Sequence, residues 1–182
     1  MAVVPLYLLD TDVCIEILRG NREVIERRAQ TAGRVVTTWI TAAELSYGAA
    51  KSRDPEGNAR AAAAFLSTLG ILGLDQRSSF FFGQLKARLE RAGQRLADAD
   101  LLIAAIALAH DATVVTGNLR HFGRIDGLAC SDWIHEMAGW VHEPERPYDA
   151  AHRRERILGF LPGDPGQGAL DQVGLDEPGD DH

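Results

Sequence analysis

Short apolar runs alternate along the chain with longer segments of helical spacing. Residues 3–9 form an apolar run that ends at Asp10, and residues 34–38 form a β-branched run after Gly33. Such runs predict buried strands. Further strands are predicted at residues 70–74, 113–116 and 128–130, and helices at residues 13–18, 22–32, 42–51, 55–69, 78–92, 101–109 and 119–122. This alternation predicts an α/β fold with a mainly parallel central sheet.

The charge balance changes after Ile134. Residues 1–134 contain 15 basic and 15 acidic side chains, whereas residues 135–182 contain 4 basic and 11 acidic ones together with repeated proline and glycine. The formal net charge of −7 therefore comes from the second part. We expect a domain over residues 1–134 and an acidic extension over residues 135–182 that is partly helical, at 149–158, or disordered.

Export and membrane insertion are not indicated by the pattern. No apolar run reaches the ~20 residues that a membrane-spanning helix needs. The apolar start has neither a basic region nor a small-residue cleavage site, and it runs directly into Asp10 and Asp12. Two cysteines, Cys14 and Cys130, do not make a disulfide framework and are expected to be small buried residues. We therefore expect a cytoplasmic protein without membrane contact.

Three acids stand in apolar surroundings. Asp10 follows the first strand, Glu44 lies among small residues of a helix, and Asp100 lies in the first turn of an almost wholly apolar helix. A carboxylate in such surroundings must be neutralised, hydrogen-bonded or bound to a metal. If the three converge, oxygen ligands of this kind select Mg²⁺ or Mn²⁺. The spacing alone does not establish that they converge.

Each of these acids also has a purely structural explanation. Asp10 could cap the helix that follows it, and Glu44 could complete a capping box with Thr41. Asp100 could be stabilised by its helix N-terminus alone.

Three other polar residues each have a structural and a functional interpretation as well. Asp98 is either the cap of the helix over residues 101–109 or a ligand, Asp12 is either an exposed first-turn acid or a supporting group, and Asn118 is either a turn residue or part of a site.

Four segments, taken together, resemble the PIN-domain ribonucleases, and within them the VapC-type toxins. These are LLDTD at residues 8–12, TAAELSYGA at 41–49, DADLLIAA at 98–105 and VVTGNLRHF at 114–122. They stand in the order and spacing of that family and cover residues 6 to about 134. The resemblance implies a three-layer α/β/α fold around a mainly parallel sheet of four or five strands.

The resemblance also implies a site. Asp10, Glu44 and Asp100 match its acidic metal-binding triad, and Asn118 stands where the family often has a fourth acid. An amide keeps an oxygen ligand without the charge, which leaves one or two metals possible. The resemblance indicates Thr11 and Thr116 as supporting residues, and Asp12 and Asp98 are further candidates for that role.

The activity implied is Mg²⁺-dependent hydrolysis of RNA phosphodiester bonds, with Mn²⁺ as a substitute, leaving 5′-phosphate and 3′-hydroxyl ends. The chain would be the toxin of a type II toxin–antitoxin pair, with a cognate antitoxin and a homodimeric assembly. Candidate contacts to RNA phosphates are Arg19, Arg88, Arg91, Arg95, Arg120 and His121.

Two other functions are compatible with parts of the pattern. A non-catalytic PIN-like module that binds RNA or a partner protein would account for Asn118, although it gives no reason to keep three acids. A haloacid-dehalogenase-type phosphatase would account for Asp10-Thr11-Asp12, which resembles its DxD motif. That motif needs Thr or Val where this chain has Cys14, and no later Lys and paired-Asp motif follows.

Overall fold

A six-stranded sheet lies at the centre of the part of the chain that the computed structural model describes, residues 4–135 and 141–142. Its strands are β1 (Leu6–Leu9), β2 (Arg34–Thr38), β3 (Gly70–Leu72), β4 (Thr113–Val115), β5 (Cys130–Ser131) and β6 (Val141–His142). They lie in the order β3-β2-β1-β4-β5-β6. Strands β1 to β5 are parallel, and β6 runs antiparallel to β5. The predicted mainly parallel sheet is confirmed, and β6 is an addition that the pattern did not predict.

Helices connect the strands and cover both faces of the sheet. They are α1 (Thr11–Leu18), α2 (Arg22–Gln30), α3 (Trp39–Ala50), α4 (Pro55–Leu66), α5 (Gln76–Arg91), α6 (Asp98–Ala109) and α7 (Leu119–Phe122). No helix in the described residues is both long enough and apolar enough to cross a bilayer. The predicted helix at 149–158 and the predicted disorder after it lie outside the described residues, and the division of the chain at Ile134 stays a prediction.

Two hydrophobic cores lie on opposite faces of the sheet. Successive side chains of a strand point to opposite faces, so Leu8 and Val114 pack in a core with α5 and α6, whereas Leu9 and Val115 pack in a core with α1 to α4. All four side chains are fully buried. A strand covered on both faces is apolar at every position, which is why β1 appears in the sequence as a continuous apolar run.

Helix α6 is the most deeply buried helix of the described chain. Every side chain from Ile103 to Ala109 is buried, and alanines at alternate positions let the helix pack closely. The acids of this helix, Asp98 and Asp100, occur in its first turn. The apolar body of α6 therefore fixes the position of Asp100.

Four helices, α1, α3, α5 and α6, begin two or three residues before the predicted position, and in two of them this changes the cap. Helix α3 starts directly after β2 without a loop, so its cap is Thr38, whose hydroxyl accepts a hydrogen bond from the Thr41 amide at 3.1 Å. The proposed capping box between Thr41 and Glu44 is therefore wrong. Helix α6 begins at Asp98 after Ala97 and has no side-chain cap, so Asp98 is not the cap either.

Candidate functional site

The polar side chains of the candidate site follow the carboxyl ends of the parallel strands. Asp10 follows β1, Thr116 follows β4, and Asp132 follows β5. Adjacent parallel strands end at the same edge of a sheet, and the crevice outside that edge is the usual ligand site in open α/β sheets. The fold therefore brings together residues that are more than a hundred positions apart in the sequence.

Asp10 is the buried centre of this edge, with 7% of its surface exposed. It caps α1, and its Oδ1 accepts from the Thr11 amide at 2.7 Å while its Oδ2 accepts from the Thr116 hydroxyl at 2.9 Å. Burial and, to a smaller extent, the charges of Asp12 and Asp100 raise the pKa of Asp10 to about 7, against the lowering effect of these hydrogen bonds. The predicted capping role is confirmed, but two hydrogen bonds do not compensate the buried charge.

Asp12 faces the interior and not the solvent. Its Oδ2 accepts from the Gly117 amide at 2.9 Å and lies 3.4 Å from the Thr116 hydroxyl, and its Oδ1 accepts from the Val13 amide at 2.7 Å. Burial raises the pKa of Asp12 as well. This carboxylate therefore joins α1 to the loop after β4, and its interpretation as an exposed acid is wrong.

Glu44 reaches the same edge from α3. Its Oε2 accepts a hydrogen bond from the Thr11 hydroxyl, and Thr11 is also the residue whose amide binds Asp10. Thr11 thus lies between two of the three predicted acids.

Asp100 is joined to the site through His121. The His121 Nδ1 lies 3.0 Å from Asp100 Oδ2 and 2.8 Å from Asn118 Nδ2. The backbone N–H of Asn118 donates to the Thr116 hydroxyl at 2.9 Å, and that hydroxyl donates to Asp10. His121, predicted as an RNA contact, is therefore first of all a partner of Asp100.

The three predicted acids belong to one hydrogen-bonded and electrostatic network. Within the described residues, however, no three His, Cys, Asp or Glu side chains are grouped closely enough to hold a metal ion. Glu44 is turned to Thr11 and Asp100 to His121. The donors are all of the oxygen type that Mg²⁺ and Mn²⁺ prefer, and burial and the charges of Asp12 and Asp100 disfavour the charged form of Asp10, so the residues fit such an ion by chemistry.

Asp98 lies apart from this network, although it is only two residues from Asp100. Its carboxylate binds the Lys86 ammonium of α5 at 2.7 and 2.9 Å, at a solvent-exposed position. Among the described residues, no contact joins Asp98 to the site, so its supporting role stays a prediction.

We expect Asp98→Asn to leave RNA cleavage within about twofold of the unaltered chain. An exposed ion pair contributes little free energy, and nothing links this carboxylate to Asp10. Initial cleavage rates under identical conditions measure the effect. A loss as large as that caused by altering Asp100 would show that Asp98 acts at the site.

The arginines proposed as RNA contacts lie on or next to different helices. Arg19 pairs with Glu16 at 3.1 Å and lines a groove of about 310 Å³ between α1, α3 and α4 that also contains Glu44. Arg95 lines a cavity of about 190 Å³ where α5 meets α6. Arg120 is exposed on α7, Arg91 is exposed on α5, and Arg88 pairs with Asp126 at 2.8 Å.

Sequence reasoning missed Asp132 and His135. Asp132 is buried after β5, and its Oδ2 lies 3.0 Å from the His135 Nδ1. The signal was available, because an acid directly after an apolar strand is the pattern that pointed to Asp10.

Several known proteins are similar to this chain in sequence and in fold. Residues 7–128 match the family model described as PIN domain. Ribonuclease VapC2 of Haemophilus influenzae is 38% identical over 129 residues, covering 70% of this chain and 98% of the relative. The tRNA(fMet)-specific endonuclease VapC of Salmonella typhimurium is 38% identical over 128 residues, covering 70% and 97%. The DNA-bound VapBC structure from Salmonella typhimurium matches with a TM-score of 0.68 at 36% identity, covering 71% of this chain and 99% of that one.

Proposed function

Because the chain belongs to the PIN-domain family, and within it to the VapC ribonucleases, we propose that it is a Mg²⁺-dependent endoribonuclease and the toxin of a type II toxin–antitoxin pair. Its substrate is RNA, and its place of action is the cytoplasm. The observation that carries the proposal is the buried Asp10, whose pKa burial and the charges of Asp12 and Asp100 raise to about 7.

The residues that would hold the ion are Asp10, Glu44 and Asp100, with the Asn118 amide oxygen as a neutral addition. A bound Mg²⁺, or Mn²⁺ in its place, supplies a water of lowered pKa and neutralises charge on the phosphodiester. Because Asn118 brings no charge, a single ion fits this set better than two. Without a cation, the same acids would repel an RNA phosphate.

The surrounding side chains hold these acids in place. The Thr116 hydroxyl donates to Asp10, His121 binds Asp100, and the Thr11 hydroxyl donates to Glu44. Each partner comes from a different element, so the acids keep their positions only in the folded chain. Such supporting contacts orient ligating groups and tune the affinity of a site for its ion.

The partners follow from the relatives. The matched structures include VapBC complexes, which supports a cognate antitoxin as a partner of this chain. The groove lined by Ile15, Leu18 and Glu44 offers apolar surface beside the acids for an antitoxin segment. We also propose a homodimer, as the family resemblance implies.

Cleavage of RNA by the purified chain tests the function. With Mg²⁺ we expect fragments that carry 5′-phosphate and 3′-hydroxyl ends, no cleavage in EDTA, and recovery on adding Mn²⁺. A tRNA pool and a messenger RNA serve as substrates, because one relative is named for tRNA(fMet).

Other outcomes would point to the alternatives. Cleavage that persists in EDTA would exclude the metal, and Mn²⁺ binding without cleavage of either RNA would favour the non-catalytic module. Turnover of p-nitrophenyl phosphate with RNA left intact would favour the phosphatase.

A further inference from the structure

A tight turn after β5 holds an imidazole at the same edge of the sheet. The Asp132 Oδ1 accepts from the amides of Ile134 and His135 at 2.8 and 2.9 Å, and its Oδ2 lies 3.0 Å from the His135 Nδ1. Asp132 is only 6% exposed. Although burial acts to raise it, these hydrogen bonds hold the pKa of Asp132 below its ordinary value, so the carboxylate is charged.

The His135 ring lies against the loop after β4, where the Gly117 amide donates to the Asp12 carboxylate. A Cβ placed on Gly117 would come within 2.9 Å of the His135 Cε1 and 3.2 Å of the Asp12 Oδ2. A larger residue at position 117 would require the His135 ring and the Ile134 side chain, whose Cδ1 would also lie 2.9 Å away, to shift. The ring is held on one side by Asp132 and on another by the loop after β4.

The rest of the ring is open to solvent. The His135 side chain is 67% exposed, and its Nε2 has no hydrogen-bond partner among the residues that the structure describes. An imidazole with Nδ1 bound to a carboxylate has Nε2 left for one further polar contact. The orientation of that nitrogen is set before any ligand arrives.

Two of the acids at this edge of the sheet are paired with histidines. Five acids lie here, and in the described part of the chain their ion pairs come from two histidines, His121 and His135. The five acids are Asp10, Asp12, Glu44, Asp100 and Asp132. His121 contacts both Asp100 and Asn118 through Nδ1 and supports the proposed ion site. His135 contacts neither, and it is the exposed one of the two.

We propose that His135, oriented by Asp132, binds a phosphate of the RNA strand beside the carboxylate site. In this contact the Nε2–H donates to a phosphate oxygen while the Nδ1–H donates to Asp132, so the ring lies between two anions. The contact positions the strand next to the acids and takes no part in bond cleavage. This inference rests on the proposed function and adds to it a residue outside the four matched segments.

RNA binding by the full-length chain tests this assignment. Fluorescence anisotropy with a fluorescein-labelled 12-nucleotide single-stranded RNA is measured in Mg²⁺, with Asp100→Asn as the background so that bound RNA stays intact. We expect His135→Ala to weaken binding about tenfold, the effect of one hydrogen bond to a charged group. We also expect the slope of log Kd against log salt concentration to fall by about 0.7, as for one lost phosphate contact on a single strand.

The matched control is His110→Ala. His110 is also exposed, but it follows the last residue of α6, at the opposite end of that helix from Asp100. This variant should keep both the affinity and the salt slope. Asp132→Asn should reproduce part of the His135→Ala defect, because the ring loses its charged partner.

The outcomes separate this inference from the proposed function. His135→Ala with unchanged affinity and salt slope would overturn the inference while leaving the nuclease intact. Binding that depends on His135 in a chain whose unaltered form cuts no RNA would support the inference and overturn the proposed function. If the Asp100→Asn background binds no RNA, the inference is overturned.

Discussion

Asp10→Asn is expected to lower RNA cleavage at least about 100-fold while the chain stays folded. Losses of this size are typical when a preorganised electrostatic group is removed from an active site. Asn fits the same space, and its amide can use both existing contacts, because its oxygen accepts from the Thr11 amide and its nitrogen donates to the Thr116 hydroxyl. Single-turnover cleavage rates in Mg²⁺, together with circular dichroism of the same samples, measure both parts.

Asp100→Asn is expected to behave in the same way, because Asp100 belongs to the same network as Asp10. Asp98→Asn is its matched control, since both acids lie in the first turn of α6 and only Asp100 contacts His121. If Asp10→Asn retained full Mg²⁺-dependent cleavage, Asp10 would not be part of the active site.

The second large effect concerns stability. In the metal-free protein, we expect the titration of Asp10 to lower the free energy of unfolding by up to about 4 kcal/mol as the pH rises from about 4 to about 7. Its pKa rises from 3.8 to about 7 on folding, mainly through burial. Below 3.8 both states hold the proton, and between the two values the folded state alone holds it. The contribution is therefore complete at low pH and lost as the pH rises through the folded pKa.

Asp10→Asn removes this titration. We expect the variant to be more stable than the unaltered chain at pH 8, and we expect the difference to shrink towards pH 5. Urea unfolding in EDTA at both pH values measures it, with Asp98→Asn as the variant that should follow the unaltered chain. Equal pH dependence with and without Asp10 would show that its burial is not what sets its charge.

Local patterns predicted the architecture well. Strand β2 and helix α7 have the predicted bounds, because Gly33 and the turn before Leu119 interrupt the chain where regular structure starts. The start of α3 was misplaced by three residues, since a helix that follows a strand without a loop has no polar segment to mark it. Strand β6 was missed because two residues are too few to show a period.

The candidate site was predictable only in part. The pattern of apolar positions marks Asp10, at the end of a strand, and Asp100, in the first turn of an apolar helix, as candidate site residues. The direction of the Asp12 side chain and the bridge between Asp10 and Thr116 depend on which strands are neighbours, and β1 and β4 are separated by most of the domain. His121 shows the same limit, because its partner Asp100 lies on another helix.

The two edges of the sheet determine how readily a second chain can pair with it during folding. Within the described residues, the outermost strands are β3 and β6, with three and two residues. An exposed edge is a template for intermolecular strand pairing, and a short edge offers few free amide and carbonyl groups to a second chain. The longer, wholly apolar strand β1 has β2 on one side and β4 on the other. The apolar strand β1 is thus held between two neighbours at the centre of the sheet, and the strands at its edges offer few free backbone groups.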